Sequence, residues 1–272
     1  AELRKRQVRQ GLVAQAAGHS VKVALSGLGG DELFAGYAHF RQFAAAARWD
    51  RCLGWLGPAV RKRLLGALPS RVLPKGHPLA LERLDRYASL RNLSGDDQGL
   101  PQVSAAFMEG VDGVPVRELY RPWLRPGLDA IAETSYVEVQ GYLANTLLRD
   151  VDATAMGNSL EVRPVLLDHP VAEFAFALPA RLKLGKQENK PALVSAVRDL
   201  LPEGIVRRRK MGFELPLTEW LSGPLRERAL AAFSSRVAVA IFSPQYLAGT
   251  AQQLSVQGRP KLALWANLML VE

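Results

Sequence analysis

One short segment limits the possible folds more than any other. Residues 23–37 read VALSGLGGDELFAGY, an apolar run set directly against three glycines, two carboxylates and a helix-like pattern. The run VKVAL at 21–25, bounded by Gly18-His19-Ser20 and by the glycines, predicts a short buried β-strand, whereas nearly everything after it reads as helix. A single strand leaves both edges unpaired, so its neighbours are expected to come from chain N-terminal to residue 1, which makes residues 1–272 part of a longer protein.

Helical periodicity is expected over 7–18, and again from Asp31, where DELFAGYAHFRQFAAAAR carries acids in its first turn and Phe34, Tyr37, Phe40 and Phe43 at helical spacing. Those aromatics read as core rather than ligand contacts. Residues 50–85 predict two or three short helices punctuated by prolines, 94–102 an exposed loop, and 121–127 a break. Helices are then predicted over 128–156, 170–178, 190–201, 216–232 and 259–270. There is no internal repeat.

Composition excludes several classes. At 48% hydrophobic and 22% charged, 272 residues suffice for one large core or two smaller ones. No apolar run approaches the roughly 20 residues that span a bilayer, and AELRKRQVRQ lacks the apolar stretch of a secretory signal, so an intracellular, cytoplasmic protein with no membrane partner is expected. Cys52 is the only cysteine, so neither an internal disulfide nor a cysteine-based zinc cluster can form; it is expected as a buried small residue beside Leu53 and Trp55. The net charge of +9 favours anionic partners, but the basic runs at 4–6, 61–63 and 207–210 are short and scattered, as on solvated helix faces, and nucleic acid is not the expected partner.

A strand, a glycine-rich turn and a helix start together point unpaired backbone N–H groups at an anion. The Walker pattern fails here because Asp31-Glu32 follows Gly30 where Lys-Ser/Thr is needed, and the dinucleotide fingerprint fails because Glu32 stands where a third glycine is needed. Asp31 occupies the place where a phosphate would otherwise sit. Two anions there repel unless a cation lies between them, and magnesium, which takes oxygens from both carboxylate and phosphate, resolves this. The alternative is that Asp31 only caps the helix, worth about 1 kcal/mol.

Three further segments carry charge that needs a partner. Lys190 precedes Pro191 at an expected helix N-terminus, where a cation meets the positive end of the dipole; a phosphate nearby would reverse that penalty, and an ordinary exposed lysine is the competing reading. In GIVRRRKMGFELPL, Gly212 permits a turn that could hold Lys210 inward, with surface charge as the alternative. In LLRDVDATAMGNSLEVRPVLLDHP, Asp150, Asp152, Glu161, Arg163 and Asp168 among apolar neighbours predict a buried ionic network, with Glu161–Arg163 extended before Pro164 and Asp168 capping the next helix. Structural pairing and substrate binding would both produce it.

VKVALSGLGGDELFAGY, then LLRDVDATAMGNSLEVRPVLLDHPVAEFAFALP, then NKPALVSAVRDLLPEGIVRRRKMGFELPLTEWL come in the order found in the C-terminal synthetase region of the glutamine-dependent asparagine synthetases, and most of 10–222 resembles that region. The resemblance implies an α/β fold of the adenine-nucleotide alpha-hydrolase, or pyrophosphate-loop, type, of which this part is predominantly α-helical with few strands. It divides into a nucleotide-binding strand and helix at 1–50, a helical insertion at 51–135 and a helical C-terminal part at 136–272. It implies that ATP and Mg2+ activate a carboxylate, aspartate first among candidates, by adenylation with release of pyrophosphate, and that ammonia from a glutaminase domain of the same full-length chain then attacks. By the same resemblance Ser26 and Gly27 contact the adenylate, Gly29 and Gly30 belong to the nucleotide-binding turn, Asp31 holds magnesium and pyrophosphate, Lys190 and Lys210 serve pyrophosphate and the adenylation transition state, and Glu161 with Arg163 lines the amino-acid side of the pocket.

Two departures matter. A Ser-Gly-Gly-x-Asp-Ser pyrophosphate loop and the N-terminal cysteine of a glutaminase occur nowhere in residues 1–272, so these residues alone are expected to be inactive. Leu28 stands where relatives usually carry Glu or Asp. If that acid takes the proton of attacking ammonia, leucine cannot, which opens a different amine acceptor, a peptide or β-lactam cyclase of the same family, or a non-catalytic binding descendant.

Overall fold

In a computed structural model the described residues are 2–53, 55–56, 60, 63–64, 67, 83–89, 103–109, 115–185, 188–206, 216–255 and 262–272. They divide into two compact units, one gathering 1–5, 91–114 and 212–272, the other 6–90 and 115–211.

The larger unit is built around one parallel strand pair. β1 (Val23–Ser26) lies beside β2 (Glu161–Pro164) in the register Val23↔Glu161, Ala24↔Val162, Leu25↔Arg163 and Ser26↔Pro164. The extended segment before Pro164 is thus a strand, and β1 has a neighbour within the chain itself. Parallel strands need a long crossover, and the described residues between them are mostly helical. The expectation of a buried strand is corrected: β1 alternates, with Val23 41% and Leu25 71% exposed. Only one face is covered, where Ala24 and Val162 pack on Leu160, just ahead of β2, and on Ala155 and Ala14 from helices. An all-apolar strand is buried on both sides only when both faces carry cover.

The first helix, α1 (Glu2–Gly18), extends the predicted 7–18 segment toward the N-terminus. The helix expected to run unbroken from Asp31 is two helices, α2 (Gly30–Leu33) and α3 (Ala38–Leu53). Ala35 takes a left-handed φ of 55°, and the Gly36 N–H donates to the Asp31 carbonyl at 2.8 Å. A Cβ on Gly36 would collide with Asp31 Oδ1, so the break gives the Asp31 carboxylate its seat. The aromatics do form core: Phe34 packs with Leu33 and Ala175, Phe40 with Ala35 and Ile131, and Phe43 with Tyr87 and Val137, while Tyr37 is half-buried. Cys52 is exposed, contrary to expectation, because Trp55 beside it is itself 81% exposed and offers no apolar cover.

The predicted 128–156 helix is continuous over 130–156, with a π-helical stretch at Val139–Leu147 between α-helical Ala130–Glu138 and Leu148–Met156. Asp129 starts it, its Oδ1 accepting the N–H groups of Ile131 and Ala132 at 2.8 and 2.9 Å. This helix buries polar groups as well as apolar ones. Glu133 accepts hydrogen bonds from Arg83, from the Tyr87 hydroxyl at 3.0 Å and from the Arg125 amide at 3.1 Å. Burying that carboxylate is tolerable only because so many donors meet it.

In the smaller unit Leu221, Phe233, Phe242, Leu254, Leu264 and Leu268 form the centre of one core. The helix expected over 216–232 splits at Gly223 into Leu217–Ser222 and Arg226–Phe233, since Pro224 cannot supply an interior N–H. Two helices not foreseen, Arg236–Ile241 and Pro244–Gln253, are opened by Ser235 and Ser243, whose hydroxyls accept from the Ala238 and Tyr246 amides. No described helix is long and apolar enough to cross a membrane. The expected exposed loop at 94–102, most of the short helices expected over 50–85, and Lys210 with its turn lie outside the described residues.

Candidate functional site

The end of β1 opens into the glycine turn, and steric requirements fix its glycines. Gly29 has φ +87°, and a Cβ there would fall within Leu167, whose side chain arrives from the short helical turn after β2. A Cβ on Gly30 would lie 2.9 Å from Leu166 Cδ1, whereas one on Gly27 would meet nothing within 4 Å. Gly29 and Gly30 therefore permit close packing from below, and Gly27 faces open space. Next to it the Ser26 hydroxyl is buried and has no hydrogen-bond partner among the described residues, an unusual state for such a group.

Asp31 and Lys190, 159 residues apart in sequence, meet at this turn with Lys190 Nζ 3.0 Å from Asp31 Oδ1. Both side chains are about a quarter exposed, at 28% for Lys190 and 25% for Asp31, so the pair sits at a surface rather than in the core. Lys190 occupies a left-handed backbone conformation, φ 54° and ψ 53°, immediately before Pro191. For a non-glycine residue this costs roughly 1 kcal/mol, and such strain is characteristic of residues held for a purpose. The anion opposite Lys190 is therefore a carboxylate of the same chain, and Asp31 is not a side-chain cap of its helix.

Glu161 and Arg163 are not part of a buried network, which corrects that expectation. They pair with each other at 2.7 Å on the exposed side of β2, both more than half exposed. The Arg163 guanidinium holds the Glu161 carboxyl below the usual carboxylate range. Of the five charges expected to cluster, Asp150 alone is buried. Asp168 starts the His169–Ala177 helix, accepting the His169 amide at 3.1 Å. The alternation along β2 explains this: charged and apolar residues at successive positions face opposite sides. Glu161 instead shares with Leu28, Asp152 and Met156 the wall of a separate cavity of about 310 Å³.

Beneath the turn lies a group of ionisable residues that sequence reasoning missed. Glu32 is 1% exposed and accepts a hydrogen bond from the Tyr37 hydroxyl. Burial raises the Glu32 carboxyl above its ordinary range, opposed in part by that hydrogen bond. Burial and the facing carboxylate also push the Tyr37 hydroxyl upward. Glu138 is buried close by, with His39 Nε2 3.2 Å from its Oε1. The sequence signal was present in the Glu32–Tyr37 spacing but reads equally as acid in a first turn followed by core aromatics.

The arrangement suits a phosphate-bearing ligand. Gly27 leaves room, the Ser26 hydroxyl lacks a partner, and Lys190 supplies positive charge. A magnesium ion fits Asp31 only with oxygens from elsewhere: no cluster of three or more His, Cys, Asp or Glu side chains able to hold a metal occurs among the described residues. Magnesium commonly binds through one or two carboxylates completed by phosphate and water.

Fold and geometry together define a largely helical protein in which a strand ends in a glycine turn carrying the Asp31–Lys190 pair. The sequence pattern of the asparagine synthase family matches residues 3–270, and the chain belongs to that family. A Mycobacterium tuberculosis protein named as a candidate glutamine-hydrolysing asparagine synthetase is 32% identical over 234 residues, covering 82% of this chain and 34% of its own length. The glutamine-hydrolysing asparagine synthetase 1 of Bacillus subtilis is 29% identical over 222 residues, covering 79% of this chain and again 34% of its own length. The chain thus spans about a third of the length of the curated relatives it matches.

Proposed function

We propose that this chain is the C-terminal part of the synthetase domain of an ATP-dependent, amide-forming ligase with the adenine-nucleotide alpha-hydrolase fold, acting in the cytoplasm. The observation that supports this best is the Asp31–Lys190 pair at 3.0 Å beside the open Gly27 and the unpartnered Ser26 hydroxyl. In the proposed reaction a substrate carboxylate oxygen, from aspartate in the first instance, attacks the α-phosphorus of ATP and pyrophosphate departs. Ammonia delivered by a glutaminase domain then attacks the acyl carbon, AMP leaves and the nitrogen loses a proton. A carboxylate alone is a poor electrophile, and an acyl phosphate ester is a good one.

Each residue has a role in this reading. Ser26 and Gly27 hold the nucleotide, Gly29 and Gly30 let the turn pack against Leu166 and Leu167, and Lys190 turns from Asp31 to the departing pyrophosphate, joined by Lys210. Charge stabilisation of this kind at a leaving group is worth about two to three powers of ten in rate. Mg2+, bound through Asp31 and phosphate oxygens, would neutralise charge on the pyrophosphate. Glu161 borders the acyl side. Since a Ser-Gly-Gly-x-Asp-Ser loop is absent from residues 1–272, the activity is assigned to the full-length protein and not to these residues alone.

The test is magnesium-dependent ATP–pyrophosphate exchange with aspartate in the full-length protein. Asp31→Ala and Lys190→Ala should each lower exchange about 100-fold or more. Exchange unchanged in both variants would remove the site assignment.

A second reading concerns the nitrogen donor. Leu28 is an apolar wall residue of the 310 Å³ cavity, together with Leu148, Val151, Met156, Leu160 and Val162. Ammonia needs no such surface, whereas an amine with a hydrocarbon substituent would bury it there. Amide formation from a hydrophobic amine in preference to ammonia would support this reading, and preference for ammonia would dismiss it.

A further inference from the structure

A second cleft of about 780 Å³ lies within the larger unit, away from the glycine turn, between α3 and the Ala180–Lys183 helix with the turn that follows it. Its wall on α3 is a periodic stripe. Arg41, Arg48 and Arg51 recur at i, i+7 and i+10, and Ala44 and Ala47 between them are too small to fill the space. Arg181 stands on the opposite wall, and Leu128, Ile131 and Leu184 give apolar lining.

Among the described residues the lining arginines lack the carboxylate partner that several other arginines have. Arg83 meets Glu133, Arg86 meets Asp50, Arg198 meets Glu188 and Arg228 meets Glu272. In the cleft, Arg41 spends one nitrogen on the carbonyls of Gly185 and Glu188, both at 3.1 Å, and among the described residues Arg48 reaches only the Ala44 carbonyl at 3.4 Å. Arg51 and Arg181 make no hydrogen bond or ion pair with any described residue. The one carboxylate in the lining, Asp129, has its Oδ1 committed to two helix amides. Several guanidinium groups around one cavity repel one another, and a bound anion removes that repulsion while accepting paired N–H donors from each fork.

We propose that this cleft is a binding site for a small organic polyanion bearing two or three phosphate or carboxylate groups. The arginines take the charged groups, and Leu128, Ile131 and Leu184 take the carbon skeleton. The volume falls in the range of small-molecule sites, and planar guanidinium groups suit carboxylate and phosphate alike. The proposal is independent of the adenylation reading, since the cleft shares no lining residue with the Asp31–Lys190 turn.

Calorimetric titration of the chain with fructose 1,6-bisphosphate and, separately, with citrate tests it and separates the two anion chemistries. Saturable one-to-one binding of either probe is expected, weakening as salt is added. The exposed-site double variant Arg51→Gln/Arg181→Gln should weaken binding about tenfold or more while leaving the melting temperature unchanged, and Lys190→Met should leave affinity intact. Binding of the bisphosphate alone assigns phosphate esters, and binding of citrate alone assigns polycarboxylates. Absence of saturable binding, equal affinity in the arginine variant, or loss in Lys190→Met, which would place the anion at the glycine turn, each overturns the proposal. So does tighter binding of a short single-stranded RNA with the same arginine dependence, which would make the cleft part of a nucleic-acid surface.

Discussion

Gly29→Ala is the perturbation that most directly probes how the site is built. The new methyl group must adopt φ near +87° and must enter the space of Leu167. The left-handed conformation costs a non-glycine residue about 1–2 kcal/mol. The methyl group would meet both Cδ2 and Cγ of Leu167, the latter at 2.7 Å, so that side chain must change its χ1 rotamer at a further cost of about 1 kcal/mol. The expected loss is therefore roughly 2–3 kcal/mol, or roughly 5–10 °C in melting temperature for a unit of this size. Urea unfolding followed by circular dichroism measures it as a lowered midpoint with an unchanged slope. Two companion variants divide the terms. Gly29→Asn keeps the steric contact but tolerates positive φ, and should recover about 1 kcal/mol. Gly27→Ala meets no atom within 4 Å and should change stability by less than about 0.5 kcal/mol. Gly29→Ala as stable as Gly27→Ala would refute a left-handed, closely packed turn at Gly29.

Three other outcomes are expected. Glu32→Gln keeps an oxygen for the Tyr37 hydroxyl but removes a buried charge, so it should stabilise the protein at neutral pH by about 1 kcal/mol. Because burial raises the folded carboxyl above its unfolded value, Glu32 contributes stability that is full below the unfolded value and lost as pH rises through the folded one; melts across that window should be flatter for Glu32→Gln. Lys183, 1% exposed beneath Phe176, has its amine lowered by burial, so its charged form disfavours folding and stability should fall as pH drops through the depressed folded value. Lys183→Met should raise the melting temperature at neutral pH, and a lower one would refute a desolvated amine there. A double-mutant cycle of Asp31→Asn and Lys190→Met should give a coupling in unfolding free energy of only about 0.5–1 kcal/mol, because both side chains are partly solvated; several kcal/mol would mean a buried structural bridge.

Local rules were legible where one feature dominated. Ser-Gly-Leu-Gly-Gly-Asp announced a strand-to-helix turn, Asp168 announced its helix, and the 3.6-residue spacing of Phe34, Phe40 and Phe43 announced core. Where two features competed, the sequence was ambiguous. Continuous helical periodicity from Asp31 hid the break at Ala35-Gly36, since the gain comes from seating the Asp31 carboxylate and not from any local preference. The segment Glu161-Val162-Arg163-Pro164 reads as extended, but only pairing with Val23–Ser26 makes it a strand, and only the exposed outer face makes its charges a surface pair.

The sequence by itself determined the family, the glycine turn and the run of helices, because these depend on residue type at short spacing. Tertiary structure alone decided that Lys190 faces Asp31, that Glu32 and Glu138 are buried beneath the turn, and that arginines on two helices line one cleft. Those are contacts between residues far apart in the chain, and short-range spacing carries no information about which distant side chains the packed core brings together.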